Sequence, residues 1–258
     1  MSRTGKLVVG VLVLVLALGG GYLLLASRTS DSPPPAALDP APSTTAGQAT
    51  GTTRADGAAT PDGTWQVSDD GSSYVGYRVK EQLAFLSSPN EAVGRSSAVS
   101  GTMKVAGDTV QAVRIEVDLT RLTSDEIRRD NAIRQRGLES ERYPTATLEL
   151  AEPIPLDRAP AQGQEVRGTG KGRLTVHGVT REVDLDVTGR WSGSTIQVVG
   201  QLPVRMSDFQ IAPPRFGPVV SIEDSMAVDF NLRVATVFLV DSKTGDIRVR
   251  GSARLASR

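Results

Sequence analysis

There is no cysteine in the 258 residues, and that absence removes disulfide scaffolds, Cys-ligated zinc, iron–sulfur centres and thiol nucleophiles. It also removes the lipobox cysteine that a lipid-modified lipoprotein needs. Histidine occurs once, at His177, so multi-histidine metal sites are excluded as well. Neither sign of charge is in excess, with 29 Lys plus Arg against 29 Asp plus Glu, and a chain without a basic footprint is a poor match to nucleic acid. Aromatic residues make up only 4%, too few for a base-stacking surface. There is no Gly-x-Ser-x-Gly elbow and no Gly-x-x-x-x-Gly-Lys phosphate loop.

What is present divides the chain into five segments. Residues 1–6 carry Arg3 and Lys6, and residues 7–26, Leu7 to Ala26, follow without a single charge. At about 1.5 Å per residue this run spans roughly 30 Å, the thickness of a bilayer's hydrocarbon core. It reads as a single-pass transmembrane helix with a cytoplasmic N-terminus, because positive residues favour that side. A cleaved export signal is the competing reading, but its apolar region is usually only about 7 to 15 residues. Residues 27–63 are Ser, Thr, Pro, Ala and Gly with Pro33, Pro34 and Pro35 in a row, and such a stretch is expected to be a disordered linker. Everything after the helix is then extracytoplasmic, in the cell envelope or periplasm and tied to the cell membrane.

From residue 64 the pattern changes to short runs of period two, the signature of half-buried strands. Val75, Tyr77 and Val79 alternate with polar or small residues, as do Ile115 and Val117, Leu148, Leu174 and Val176, Leu185 and Val187, Val198, and Met226, Val228 and Phe230. Turn residues such as His177-Gly178 and Ser192-Gly193 separate the runs. Many short strands joined by hairpins favour an all-β, antiparallel barrel over residues 64–235, and these apolar positions are its candidate inner wall. Whether they line a cavity or fill a solid core is left open by the pattern. One short helix interrupts the strands. Thr123-x-x-Glu126 has the form of a capping box, with Leu122 and Ile127 placed as a hydrophobic staple. Residues 236–258 form a tail in which Asp241 to Gly245 can turn an added hairpin.

Few residues suggest chemistry. His177 reads as a turn histidine, since no nucleophile motif places a base there. Arg128, Arg129, Arg134 and Arg136 read first as a solvated, salt-bridged helix face, with contact to anionic headgroups or to a ligand phosphate near the barrel mouth as the alternative. The chain is therefore not expected to be an enzyme, and no metal or required cofactor is expected.

Several stretches, taken in order, resemble the YceI-like family of lipocalin-like, polyisoprenoid-binding proteins. They are Trp65-Gln-Val with Ser73 to Val79; Asp130-Asn131 and Glu141-Arg-Tyr143-Pro144 leading into Thr145 to Leu150; Gly172 to Arg181, containing Leu174-Thr-Val-His-Gly-Val-Thr; Arg205-Met-Ser-Asp-Phe209; and Met226 to Val234. The resemblance implies a lipocalin-like barrel of about eight strands whose interior holds a long amphiphile, an isoprenoid quinone or polyprenyl lipid, with bound isoprenoid as the expected partner. The sequence departs from the pattern after Phe209, where Gln210 stands in place of the usual glycine, and in its tether and tail. A protein-interaction module with a solid core is the alternative function.

Overall fold

In a computed structural model, the chain is described over residues 32–40 and 60–236, with the backbone of two further short strands, Phe238–Val240 and Ile247–Val249, which pair antiparallel. The run Leu7 to Ala26, most of the linker and the rest of the tail lie outside the described residues. No helix among the described residues is long and apolar enough to cross a membrane.

Twelve strands build the barrel, all antiparallel to their neighbours: β1 Gly63–Val67, β2 Tyr74–Leu83, β3 Asn90–Ser96, β4 Val99–Ala106, β5 Thr109–Asp118, β6 Thr123–Ser124, β7 Thr145–Leu150, β8 Ile154–Pro155, β9 Glu165–Val176, β10 Val179–Ser192, β11 Thr195–Arg205 and β12 Val219–Thr236. They occupy eight positions. β1 and β2 are two halves of one position, because both pair with β12, through Trp65↔Thr236 and Val75↔Phe230. β3 and β4 share the next, pairing β2 and β1 respectively. β5, β7, β9, β10, β11 and β12 complete the ring, and the β12–β1 pairing closes it, while the β2–β3 branch ends at β6.

The hairpin between β9 and β10 shows how local sequence sets the register. His177 at φ 54 and Gly178 at φ 73 form the two-residue turn that brings Val176 opposite Val179, and such a turn needs positive φ at both centres. Gly178 is required twice over, since a Cβ there would sit 2.7 Å from the Tyr143 ring. His177 is a turn residue, with Nδ1 3.2 Å from the Phe209 carbonyl and its ring edge-on to Tyr143. Gln210, where the family resemblance expects glycine, adopts φ 58, a left-handed conformation costing a side-chain-bearing residue roughly 1–2 kcal/mol.

The helix α1, Ile127–Ala132, continues through a π-helical turn at Ile133–Gly137 and covers one end of the barrel. Its start differs from the expected capping box. Thr123 and Ser124 are taken into the sheet opposite Arg95 and Gly94, so the N-cap falls at Glu126, whose carboxylate accepts from Arg128 N–H at 3.0 Å. The staple is not made: Ile127 is 64% exposed. Part of the expected linker is described. Residues 32–40 lie against the outer wall, where their backbone groups find charged and amide side-chain partners.

Candidate functional site

The barrel encloses a cavity of ≈ 260 Å³ with an almost wholly apolar wall. One water needs only roughly 10–15 Å³ by a comparable measure, so this is an unfilled interior on the scale of a ligand. Strand alternation explains the lining. On β2 the inward side chains are Val75, Tyr77 and Val79, on β5 Ile115 and Val117, and on β7 Leu148. β9 adds Leu174 and Val176, β10 Leu185 and Val187, β11 Val198, and β12 Met226, Val228 and Phe230. All fourteen positions expected on the inner wall therefore border one cavity.

The two ends of that cavity differ. At one end Trp65 and Trp191 are 2% and 6% exposed, and their indole N–H groups donate to the carbonyls of Pro61 and Gly193, each at 2.8 Å. At the other, beneath α1, the wall carries Glu81 and Arg129 beside Ile133 and Phe216. Arg129 Nη2 donates to Glu81 Oε1 at 2.6 Å, and Nη1 pairs with Asp125. The guanidinium lies 5.9 Å from the Phe216 ring centroid. Both members of the Arg129–Glu81 pair are buried, and burial alone would lower the Arg129 pKa, but the bond and charge of Glu81 outweigh it and hold the pKa above its usual value. Three buried atoms here have no hydrogen-bond partner: Tyr77 OH, Glu81 Oε2 and Arg129 Nε. Buried polar groups are rarely left so. Burial pushes the Tyr77 phenol above its ordinary 10.0, so it stays a donor well into the alkaline range. Its ring crosses Gly94, where a Cβ would lie 2.4 Å from it.

This polar end was not among the expected site residues. Glu81 continues the inward phase of Val75, Tyr77 and Val79, so period two alone points to it. Arg129 gives no such signal, because it sits in a charge-rich helix, and the expectation of a solvated face fails for it. Among the described residues no group of carboxylates and histidine is arranged to hold a metal ion.

The model of the YceI-like domain matches residues 65–234. The chain belongs to the YceI-like family. The barrel of this YceI-like protein is similar to a solved polyisoprenoid binding domain from Saccharophagus degradans implicated in plant cell wall breakdown, with TM-score 0.52 and 17% identity over 67% of this chain and 97% of that one. It is similar also to BcnA of Burkholderia cenocepacia, with TM-score 0.50 and 23% identity over 66% and 99% of the two chains. At these identities the likeness establishes a shared fold. Among curated proteins, none matches the chain.

Proposed function

We propose that this YceI-like protein binds one long-chain isoprenoid amphiphile in its barrel, tail along the apolar wall and polar head beneath α1. No catalysis is required of it. The observation that carries the reading is the cavity itself, apolar along its length, with the buried Arg129–Glu81 pair and the unpartnered Tyr77 OH, Glu81 Oε2 and Arg129 Nε together at the end beneath α1. A relative of the same fold described as polyisoprenoid binding supports it, and the cavity does not fit the solid core of a pure docking module. The uncharged run Leu7 to Ala26 supports a single-pass tether with the barrel outside the cytoplasm.

Apolar burial does not select this ligand. A methylene moved from water contributes about 0.8 kcal/mol, but a lipid leaving a bilayer was never in water, so the tail gains little. Selectivity rests on the head. Arg129 Nε donates, Glu81 Oε2 accepts and Tyr77 OH does either, a set that fits a terminal hydroxyl, as on a polyprenol or a reduced quinone. A phosphate meets the Glu81 carboxylate at the same place and is disfavoured by like charge. Titrating the delipidated chain with a polyprenol, its phosphate and an alkane of equal length tests this. The polyprenol binds tightest on this account; equal affinity for the alkane rules out a head-group site.

A further inference from the structure

Residues 32–40, Ser-Pro-Pro-Pro-Ala-Ala-Leu-Asp-Pro, have almost nothing for a core to take up, yet they cross the outer wall over β3, β2, β12, β11 and β10. Ser32 Oγ donates to the Glu91 carbonyl at 2.5 Å. Arg78 and Arg95 donate to the carbonyls of Pro33 and Pro34, the latter at 2.9 Å. Ala36 N–H donates to Asp229 Oδ1 at 2.9 Å. Gln197 clamps both sides of the next turn of chain, its Oε1 accepting from Asp39 N–H at 3.0 Å and its Nε2 donating to the Ala37 carbonyl at 3.4 Å. Asp39 ends the series, its carbonyl bonded to Arg190 and its carboxylate paired with Arg233.

The receiving side chains form a built site. Asp229, Arg78 and Gln197 point outward from their strands yet are 0%, 5% and 7% exposed. Asp229 is held by Arg78 at 3.3 Å and Arg95 at 3.1 Å, and Gln197 by Asn231 at 3.0 Å. Six of these eight contacts address backbone, the exceptions being the Ser32 hydroxyl and the Asp39 carboxylate, so the wall reads mainly an extended chain. Four of the nine residues, Pro33, Pro34, Pro35 and Pro40, already have φ fixed, which lowers the entropy lost on docking.

The direction of the segment matters. Ser32 meets β3 at Glu91, which faces Lys80, the neighbour of Glu81, in the ladder. Asp39 sits at the Arg190–Gln197–Arg233 row, beside Trp191 at the far end. The chain thus enters at the helix-capped end. Between Ala26 and Ser32 lie only residues 27–31, a reach of about 20 Å at full extension. The exposed large hydrophobics Phe85, Ile127 and Val220 are placed at that same end, in the β2–β3 connection, at the start of α1 and at the start of β12.

We propose that the outer wall of β2, β3, β10, β11 and β12 is a binding site for the proline-rich segment 32–40 of the same chain, and that its occupancy turns the helix-capped mouth toward the bilayer. The orientation rests on the membrane reading above; the site does not. Hydrogen exchange on the full chain in lipid nanodiscs tests the site. The Ala36 and Asp39 amides exchange at least tenfold slower than unstructured amides. Ala36→Pro, a change confined to the segment, returns Asp39 to the unstructured rate with barrel protection unchanged. Unstructured rates at both amides in the wild type overturn the site, and protection lost on dilution overturns the intramolecular form by assigning the segment to a second copy.

For the orientation, Phe85→Trp adds an indole at the helix-capped end, while Trp65 and Trp191 mark the other. With headgroup spin-labelled lipid the added emission is quenched at least twofold more than the native pair, and less so when combined with Ala36→Pro. Equal quenching with exchange protection intact overturns the orientation alone. A chain that does not enter nanodiscs contradicts the membrane reading and with it the orientation, and exchange on the free chain then decides the site.

Discussion

At the tryptophan end of the barrel both buried indole N–H groups reach carbonyls, at 2.8 Å each, whereas beneath α1 the buried atoms Tyr77 OH, Glu81 Oε2 and Arg129 Nε reach nothing in the protein. The strands supply the same apolar alternation to both ends, so the difference is made by which residues terminate each row. One end is a stopper whose two indole N–H groups are satisfied internally, leaving only Thr236 Oγ1, opposite Trp65, and Arg190 Nε without partners. The other is, on the proposed function, a receptor, whose unpaired atoms cost stability until a ligand's polar group meets them. The same economy explains why a barrel with so much unfilled interior still folds: its closed ladder and stoppered end carry the stability.

The comparison can be broken most severely at the stopper. Trp65→Ala is expected to cost about 4 kcal/mol, the usual range for emptying a buried Trp site, read from urea unfolding midpoints. At the receptor end Glu81→Ala leaves Arg129 buried with only the more exposed Asp125 as a charged partner and is expected to cost about 3 kcal/mol. Replacing both, Glu81→Leu with Arg129→Leu, makes this end as apolar as the other; stability returns to within about 1 kcal/mol of wild type, while the preference for a polyprenol over an alkane disappears. If that preference survives in the double variant, the head-group site is misplaced.

Between the two ends, Val117→Trp projects a large ring into the cavity. It abolishes lipid uptake and changes stability by less than about 1 kcal/mol, whereas in a filled core such overpacking costs about 1–3 kcal/mol. The smallest effect belongs to Tyr77→Phe. Its hydroxyl has no protein partner, so removing it costs under about 1 kcal/mol near neutral pH. The phenol pKa is raised in the folded state, so folding holds that proton more tightly. The contribution is fully present below the unfolded value of 10.0 and is lost as pH rises from there toward the folded value. Unfolding midpoints taken through that range fall more steeply for the wild type than for Tyr77→Phe.

Much of this was written in the sequence as period two. Val75, Tyr77, Val79 and Glu81 share one phase on β2, as Leu185, Val187 and Trp191 do on β10, and alternation points all of them inward because a strand has only two faces. What the pattern did not carry were competitions settled in three dimensions. Thr123 has the chemistry of an N-cap, but β3 takes its backbone into the ladder first and moves the cap to Glu126. Arg129 looks like a surface charge until Glu81 arrives from a strand far away in sequence. The segment 32–40 has no apolar face, so composition reads it as linker; its partners are backbone groups meeting Arg78, Asp229 and Gln197, which no composition reveals.

The central claim is that the cavity is made for a lipid with a polar head. Mass spectrometry of organic extracts tests it most directly, on the full chain purified from the cells that make it and again after incubation with total membrane lipid. The account predicts about one isoprenoid bearing a terminal hydroxyl per chain, missing from the Val117→Trp variant. A folded chain whose extract is clean in both preparations contradicts it.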